Sequence, residues 1–221
     1  MNRLLMIALA AGSLVAAAEP ERFDLKVRTY FFSGFSGDKD SLEQGMKMCE
    51  DELAVRPKSP EALVWHGAGL FFQSGQLFRK GDPQHGLELW QRGMNEMDLA
   101  VELAPDRVGV RIPRGASLFT GSRFLPSPEM AKPLIEKAIS DYEKTYEVQA
   151  AAFDSLPIHP RGELLIGMAD GYARLGNKEK ADALYARIEK DLPGSAYSKK
   201  AATYKESGTP QGGCLGCHTT K

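Results

Sequence analysis

The chain has 221 residues, 43% of them hydrophobic and 26% charged, with a formal net charge of −1. That length suits one domain or one repeat array, and the apolar share is enough for a packed core. The near-balanced, interspersed charge excludes a basic surface for nucleic acid and a polybasic run for anionic lipid.

The first segment, "MNRLLMIALAAGSLVAAAEP", carries one positive charge at Arg3, an apolar run from Leu4, and small residues at Ala16 and Ala18. This is the layout of a secretory signal peptide spanning residues 1–18, cut between Ala18 and Glu19. The apolar run is short of the roughly 20 residues that a membrane-spanning helix needs. An uncleaved anchor is the alternative. No cysteine lies near the cut to carry a lipid, and no later segment is apolar enough to span, so the exported chain is expected without stable membrane insertion. Losing Arg3 takes the 28 basic residues to 27 against 29 acidic ones, a net charge of −2. Export places the protein in an oxidising compartment, the periplasm, where cysteines pair, bind haem or become liabilities. The chain has three, Cys49, Cys214 and Cys217, and an odd count argues against a disulfide framework.

Residues 19–205 read as helical. "FDLKVRTYFF" is the one stretch that suits either strand or helix, and it is assigned to the first helix. Beyond it, a spacing recurs. Gly45, Cys49 and Pro57 are separated by four and eight residues, as are Gly93, Met97 and Pro105, and Ala181, Tyr185 and Pro193. The small residue permits close helix–helix approach, the large one fills the gap a turn later, and proline cannot continue the helix. Upstream, Leu165, Met168, Ala169 and Tyr172 match the positions of Leu63, His66, Gly67 and Leu70, with Arg111, Arg114, Gly115 and Leu118 as a fainter copy.

With those residues in place, "LLIGMADGYARLGNKEKADALYARIEKDLP" resembles a tetratricopeptide repeat: large-x2-Leu-Gly-x2-Tyr, then Ala-x3-Phe, then Pro. The period is irregular. Pro57 to Pro105 is 48 residues and Pro105 to Pro193 is 88, against about 34 in the family. The excess is assigned to a loop, "FFQSGQLFRKGDPQHG", and to a long inserted helix that Ser127 caps and Pro128 opens at its first position. The expected architecture is all-α: an irregular, tetratricopeptide-like solenoid of about three and a half helical hairpins, with a flexible tail over residues 206–221. The resemblance implies a concave face that binds a peptide or another protein, and recognition in place of chemistry. No Gly-rich phosphate loop, His-Glu-x-x-His or Gly-x-Ser-x-Gly motif is present, and the chain is not expected to be an enzyme.

The tail carries "CLGCH". Cys214 and Cys217 have the spacing that reaches the two vinyl groups on one porphyrin edge, and His218 follows directly as proximal ligand to the iron. The cofactor expected is one covalent c-type haem, with Cys214, Cys217 and His218 binding it and His218 on the metal. Three other readings stand beside it: a zinc site, which lacks a second ligand pair; a thiol–disulfide pair, which lacks a strand–helix setting; and an inert tail. The small cytochromes c bring a methionine from downstream as sixth ligand, whereas here only Thr219, Thr220 and Lys221 follow. The distal ligand then comes from the body, from a partner, or is absent. His66, at a position between helices that is normally apolar, His85, His159 and the methionines are the candidates. The Gly- and Ser-bearing segment 207–213 spans about 15 Å on average, enough to fold the haem back on the array. Cys49 reads as a buried thiol packing as a small hydrophobe. Three functions follow: electron transfer with a docked redox protein, a scaffold whose tail carries no haem, or a haem-based gas sensor.

Overall fold

The ambiguous stretch is helical. In the computed structural model, which describes residues 22–210, it forms α1 (Phe23–Phe35), with Phe23, Val27 and Phe31 buried one above another at four-residue spacing. Eight further helices follow: α2 (Lys39–Val55), α3 (Pro60–Arg79), α4 (Pro83–Leu103), α5 (Val108–Gly121), α6 (Pro128–Gln149), α7 (Ile158–Arg174), α8 (Lys178–Asp191) and α9 (Ala196–Ser207). Short 3-10 segments cover Ser122–Phe124 and Ala150–Ser155, and no strand occurs among the described residues. Consecutive helices pack against each other, most extensively α3 on α4, then α5 on α6 and α7 on α8.

The recurrent prolines stop helices as their chemistry requires. Pro57, Pro105 and Pro193 directly follow the C-caps of α2, α4 and α8, which are Arg56, Ala104 and Leu192. Those caps have left the helical region, because a following pyrrolidine ring clashes with αR backbone. The small and large positions of the pattern are also buried: Cys49, Met97 and Ala181 have no exposure, and Tyr185 is at 3%.

Between α3 and α4 the close approach is mutual. A Cβ on Gly67 would lie 2.7 Å from the Gly93 carbonyl oxygen, and one on Gly93 would lie 2.6 Å from that of Gly67. Backbone meets backbone there, and neither position has room for alanine.

Two expectations about the excess residues are corrected. Most of "FFQSGQLFRKGDPQHG" is helix, and only Lys80–Asp82 break it. Gly81 takes a left-handed φ of 81°, while Asp82 caps α4 by accepting from the His85 amide. The glycines within helix are Gly75, lying open to Arg79, and Gly86, packed on Phe78. Burial of Leu70, Phe71 and Ser74 continues the stripe of α3 into this stretch. The long helix, α6, begins as expected, with the Ser127 hydroxyl accepting from the Met130 amide and Pro128 in the first turn. It is not an insertion, however, but the partner of α5, so eight helices form four successive pairs and α9 follows them.

Tyr142 of α6 is the wedge of the middle region. Its ring lies against Gly115 of α5 on one edge and Gly167 of α7 on the other, where an added Cβ at either glycine would overlap ring carbons. Full burial of a large side chain contributes roughly 1.5–3 kcal/mol, and here it joins three helices. At the end of the described chain, Tyr204 of α9 stacks on Tyr185 of α8 with centroids 3.9 Å apart. Gly208 then ends α9 in the left-handed conformation.

Candidate functional site

The expected haem residues Cys214, Cys217 and His218, like the segment 1–18, lie outside the described residues. The body supplies the attachment point: α9 ends at Ser207, and six positions separate Gly208 from Cys214. Six residues reach at most about 20 Å.

The distal candidates are placed very differently. His66 is 2% exposed, with Nδ1 2.5 Å from Glu96 Oε2 and Nε2 3.8 Å from Glu50 Oε1. It joins α3 to α4 and faces α2, and the Glu96 carboxylate is itself held by Arg92 Nε at 2.9 Å. That geometry makes it a satisfied core histidine, walled off from any approaching group. His85 is exposed at the head of α4, with Nδ1 2.7 Å from Asp82 Oδ2. The neighbouring Asp82 carboxylate holds the imidazole pKa above its ordinary value, and the imidazole holds Asp82 below its own. His159, in the first turn of α7, is half-exposed. Its Nδ1 lies 2.8 Å from the Tyr197 hydroxyl of α9 and its Nε2 3.5 Å from Glu163. Of the methionines, Met46, Met97 and Met168 are buried, while Met130 is exposed beside the head of α6.

Cys49 is fully buried, and burial, with Glu96 and Glu50 nearby, pushes its thiol pKa up. A thiol held protonated is a poor nucleophile and a poor ligand. Among the described residues no group of three or more His, Cys, Asp or Glu side chains converges as a metal site. No described helix is long and apolar enough to cross a membrane.

The sequence reading missed the strongest polar constellation. Asp141 of α6 has no exposure and accepts from Arg114 Nε and Nη2, each at 2.7 Å, and from Arg111 Nη1 at 2.8 Å. Arg114 also donates to Asp98 of α4 at 2.8 Å, and Lys137 reaches the same carboxylate at 2.7 Å. Burial raises the Asp141 carboxyl pKa above its ordinary value, against the opposing pull of Arg114 and Arg111. A second buried carboxylate, Asp170 of α7, takes Arg123 at 2.6 Å, with Arg174 at 3.8 Å. Each of these residues is consumed by its partners, and the constellation joins α4, α5 and α6 without presenting a reactive group. Its only sequence signal is a pair of arginines three apart where the repeat pattern wants apolar residues.

Comparison with protein-family models, characterised proteins and solved structures finds no match. The functional reading therefore rests on the residues themselves.

Proposed function

We propose that the protein is an exported, tetratricopeptide-like helical-repeat protein of the periplasm that carries one covalent c-type haem and transfers electrons with a docked redox protein. The observation that carries this reading is the Cys214-x-x-Cys217-His218 spacing. Two thiols and an imidazole at that separation match the donor set that thioether attachment and proximal ligation need. The haem, when bound, supplies a one-electron couple. The chain's own residues hold it, and the helical pairs offer the surface on which a partner docks.

Support from the body is of two kinds. Successive helix pairs with small-residue contacts and proline stops are the arrangement on which repeat proteins build recognition surfaces. Among the distal candidates His159 has the best claim. Its Nδ1 side is oriented by Tyr197 of α9, the helix from which the tail departs, as a neighbouring group orients a ligating imidazole. His66 is withdrawn as a candidate by its burial and its bond to Glu96.

The test is a pyridine haemochrome spectrum and intact mass of protein exported from cells that mature c-type cytochromes. A covalently bound haem that survives denaturation, and is lost in Cys214→Ser with Cys217→Ser, is the expected result. Bare polypeptide from such cells would end the proposal. In that event, partner binding unchanged by truncation after Pro210, beyond the last turn of α9, favours the scaffold.

A further inference from the structure

Three helix N-termini converge on one cleft. Its volume is about 1000 Å³, and its described lining comes from the heads of α1, α3 and α5 and from the turn between α2 and α3. Each helix start carries roughly half an elementary positive charge. At none of the three does the N-cap residue, Arg22, Ser59 or Arg107, make a side-chain capping bond.

Two of the starts are served by carboxylates from elsewhere in the chain. Glu61, buried, accepts from the Phe23 amide at 3.2 Å. Asp24, also buried, sits beside Gly109 in the first turn of α5, where any Cβ would come within 3.1 Å of it. Glu61 stands in the first turn of α3, but its carboxylate is turned to the Phe23 amide and Arg107, and no described side chain caps the head of α3 itself.

Four cations line the same space. Arg22 pairs with Asp24 at 2.6 Å, Arg56 with Glu52 at 2.5 Å, and Arg107 only loosely with Glu61 at 3.4 Å. These guanidinium groups remain more than half exposed and keep N–H donors that no carboxylate occupies. Lys58, one residue before the α3 cap, has no acidic partner among the described residues. Four cations and three helix starts against three carboxylates leave the cleft positive inside a protein that is weakly acidic as a whole.

We propose that this cleft binds a small organic polyanion, seated on Lys58 and the head of α3, with the spare donors of Arg56 and Arg107 around it. The volume suits a molecule of metabolite size, and the apolar walls at Phe23, Pro60 and Val108 cover its body. Its test uses no haem and is independent of the tail.

Citrate serves as the probe, titrated into the full exported chain at constant ionic strength set with sodium chloride, and read by calorimetry and by thermal unfolding. Saturable binding with a rise in Tm is expected, weakened at least about tenfold in Lys58→Glu. That substitution touches no described partner and adds a carboxylate beside helix starts and guanidinium groups, so unfolding without citrate should be unchanged or slightly raised in Tm, never lowered. No saturable effect beyond chloride, or equal binding in Lys58→Glu, overturns the proposal. A third arm addresses the acidic residues just before Arg22. Glu19→Gln with Glu21→Gln should leave citrate affinity unchanged. Binding that emerges only in this variant would mean the chain's own carboxylates, tethered at high effective concentration, are the occupant, and the free polyanion is then excluded.

Discussion

The α3–α4 and α5–α6 pairs occupy corresponding positions along the chain and differ in how much of the seam is charged. Between α3 and α4 the contact is mostly small and apolar, with Gly67 and Gly93 backbone to backbone and Met97 filling the next turn, beside one buried polar pair, His66 with Glu96. Between α5 and α6 the position matching Gly67 is Gly115, packed on the Tyr142 ring, and Arg114, 7% exposed in the place of His66, adds an Arg111–Arg114–Asp141 triad. A helical pair needs a filled, desolvated seam, and either kind of residue can fill it if every buried charge is matched. The two seams should differ sharply in what breaks them.

The largest effect is expected at Asp141. Asp141→Ala removes the shared acceptor of Arg111 and Arg114, leaving Arg114 only its bond to Asp98, and should cost about 3–5 kcal/mol in denaturant unfolding, since a desolvated charge loses its main partner. Replacing the triad together, Asp141→Leu with Arg111→Leu and Arg114→Met, should recover most of that loss by converting the seam to the apolar kind. Failure to recover would show that the triad does more than fill space.

At the other seam, Gly93→Ala should cost about 1–3 kcal/mol through overpacking, even though alanine is the better helix former. The obstacle is a carbonyl oxygen, which cannot rotate away as a side chain does. A neutral or stabilising result would mean that α3 and α4 slide apart without loss.

The two caps that start the second helices sharpen the contrast further. Ser127→Ala should destabilise by about 1 kcal/mol, the usual worth of a hydroxyl N-cap, and the loss should be flat above the acid range and shrink only as Glu129, held below its ordinary pKa by a backbone amide and by the Ser127 hydroxyl, is protonated. Asp82, capping α4, is tied to a titrating partner, so its contribution should vary. The His85 pKa is raised on folding, so its share is complete below the unfolded value of about 6.5 and is lost as pH rises through the folded value. The Asp82 pKa is lowered, so its share is complete above about 3.9 and is lost as pH falls through the folded value. The pair should therefore help most between those limits. His85→Asn should remove the high-pH limb and shrink the low-pH one, because the imidazole is also the main cause of the lowered Asp82 pKa, in thermal unfolding measured at a series of pH values. Both groups are exposed, and the effect should be the smallest of the set.

Helix ends were legible wherever a residue's own covalent chemistry acts locally. Pro57, Pro105 and Pro193 forbid continuation, Ser127 and Pro128 open α6, and the four-residue spacing of Phe23, Val27 and Phe31 suits a helix. The stretch after Phe71 misled because its glycines and its Gly-Asp-Pro sequence look like a loop. In three dimensions Gly86 packs on Phe78, and only the left-handed Gly81 needs glycine's freedom. The arginines of α5 were not legible at all. What makes Arg114 a core residue is Asp141, 27 positions away and brought to it by packing.

For the candidate haem site the situation is reversed. The motif at Cys214, Cys217 and His218 is entirely a matter of spacing along the chain, because attachment chemistry reads neighbouring side chains. The ranking of His66, His85 and His159 is entirely tertiary, because burial and hydrogen-bond partners decide which imidazole can meet an approaching group. The amino-acid order determined where helices start and stop and which residues have the spacing of the proposed haem attachment, since those depend on atoms a few bonds apart. Packing alone decided which charges are buried, which histidine is withdrawn and where three helix starts meet, since those depend on residues that only folding makes neighbours.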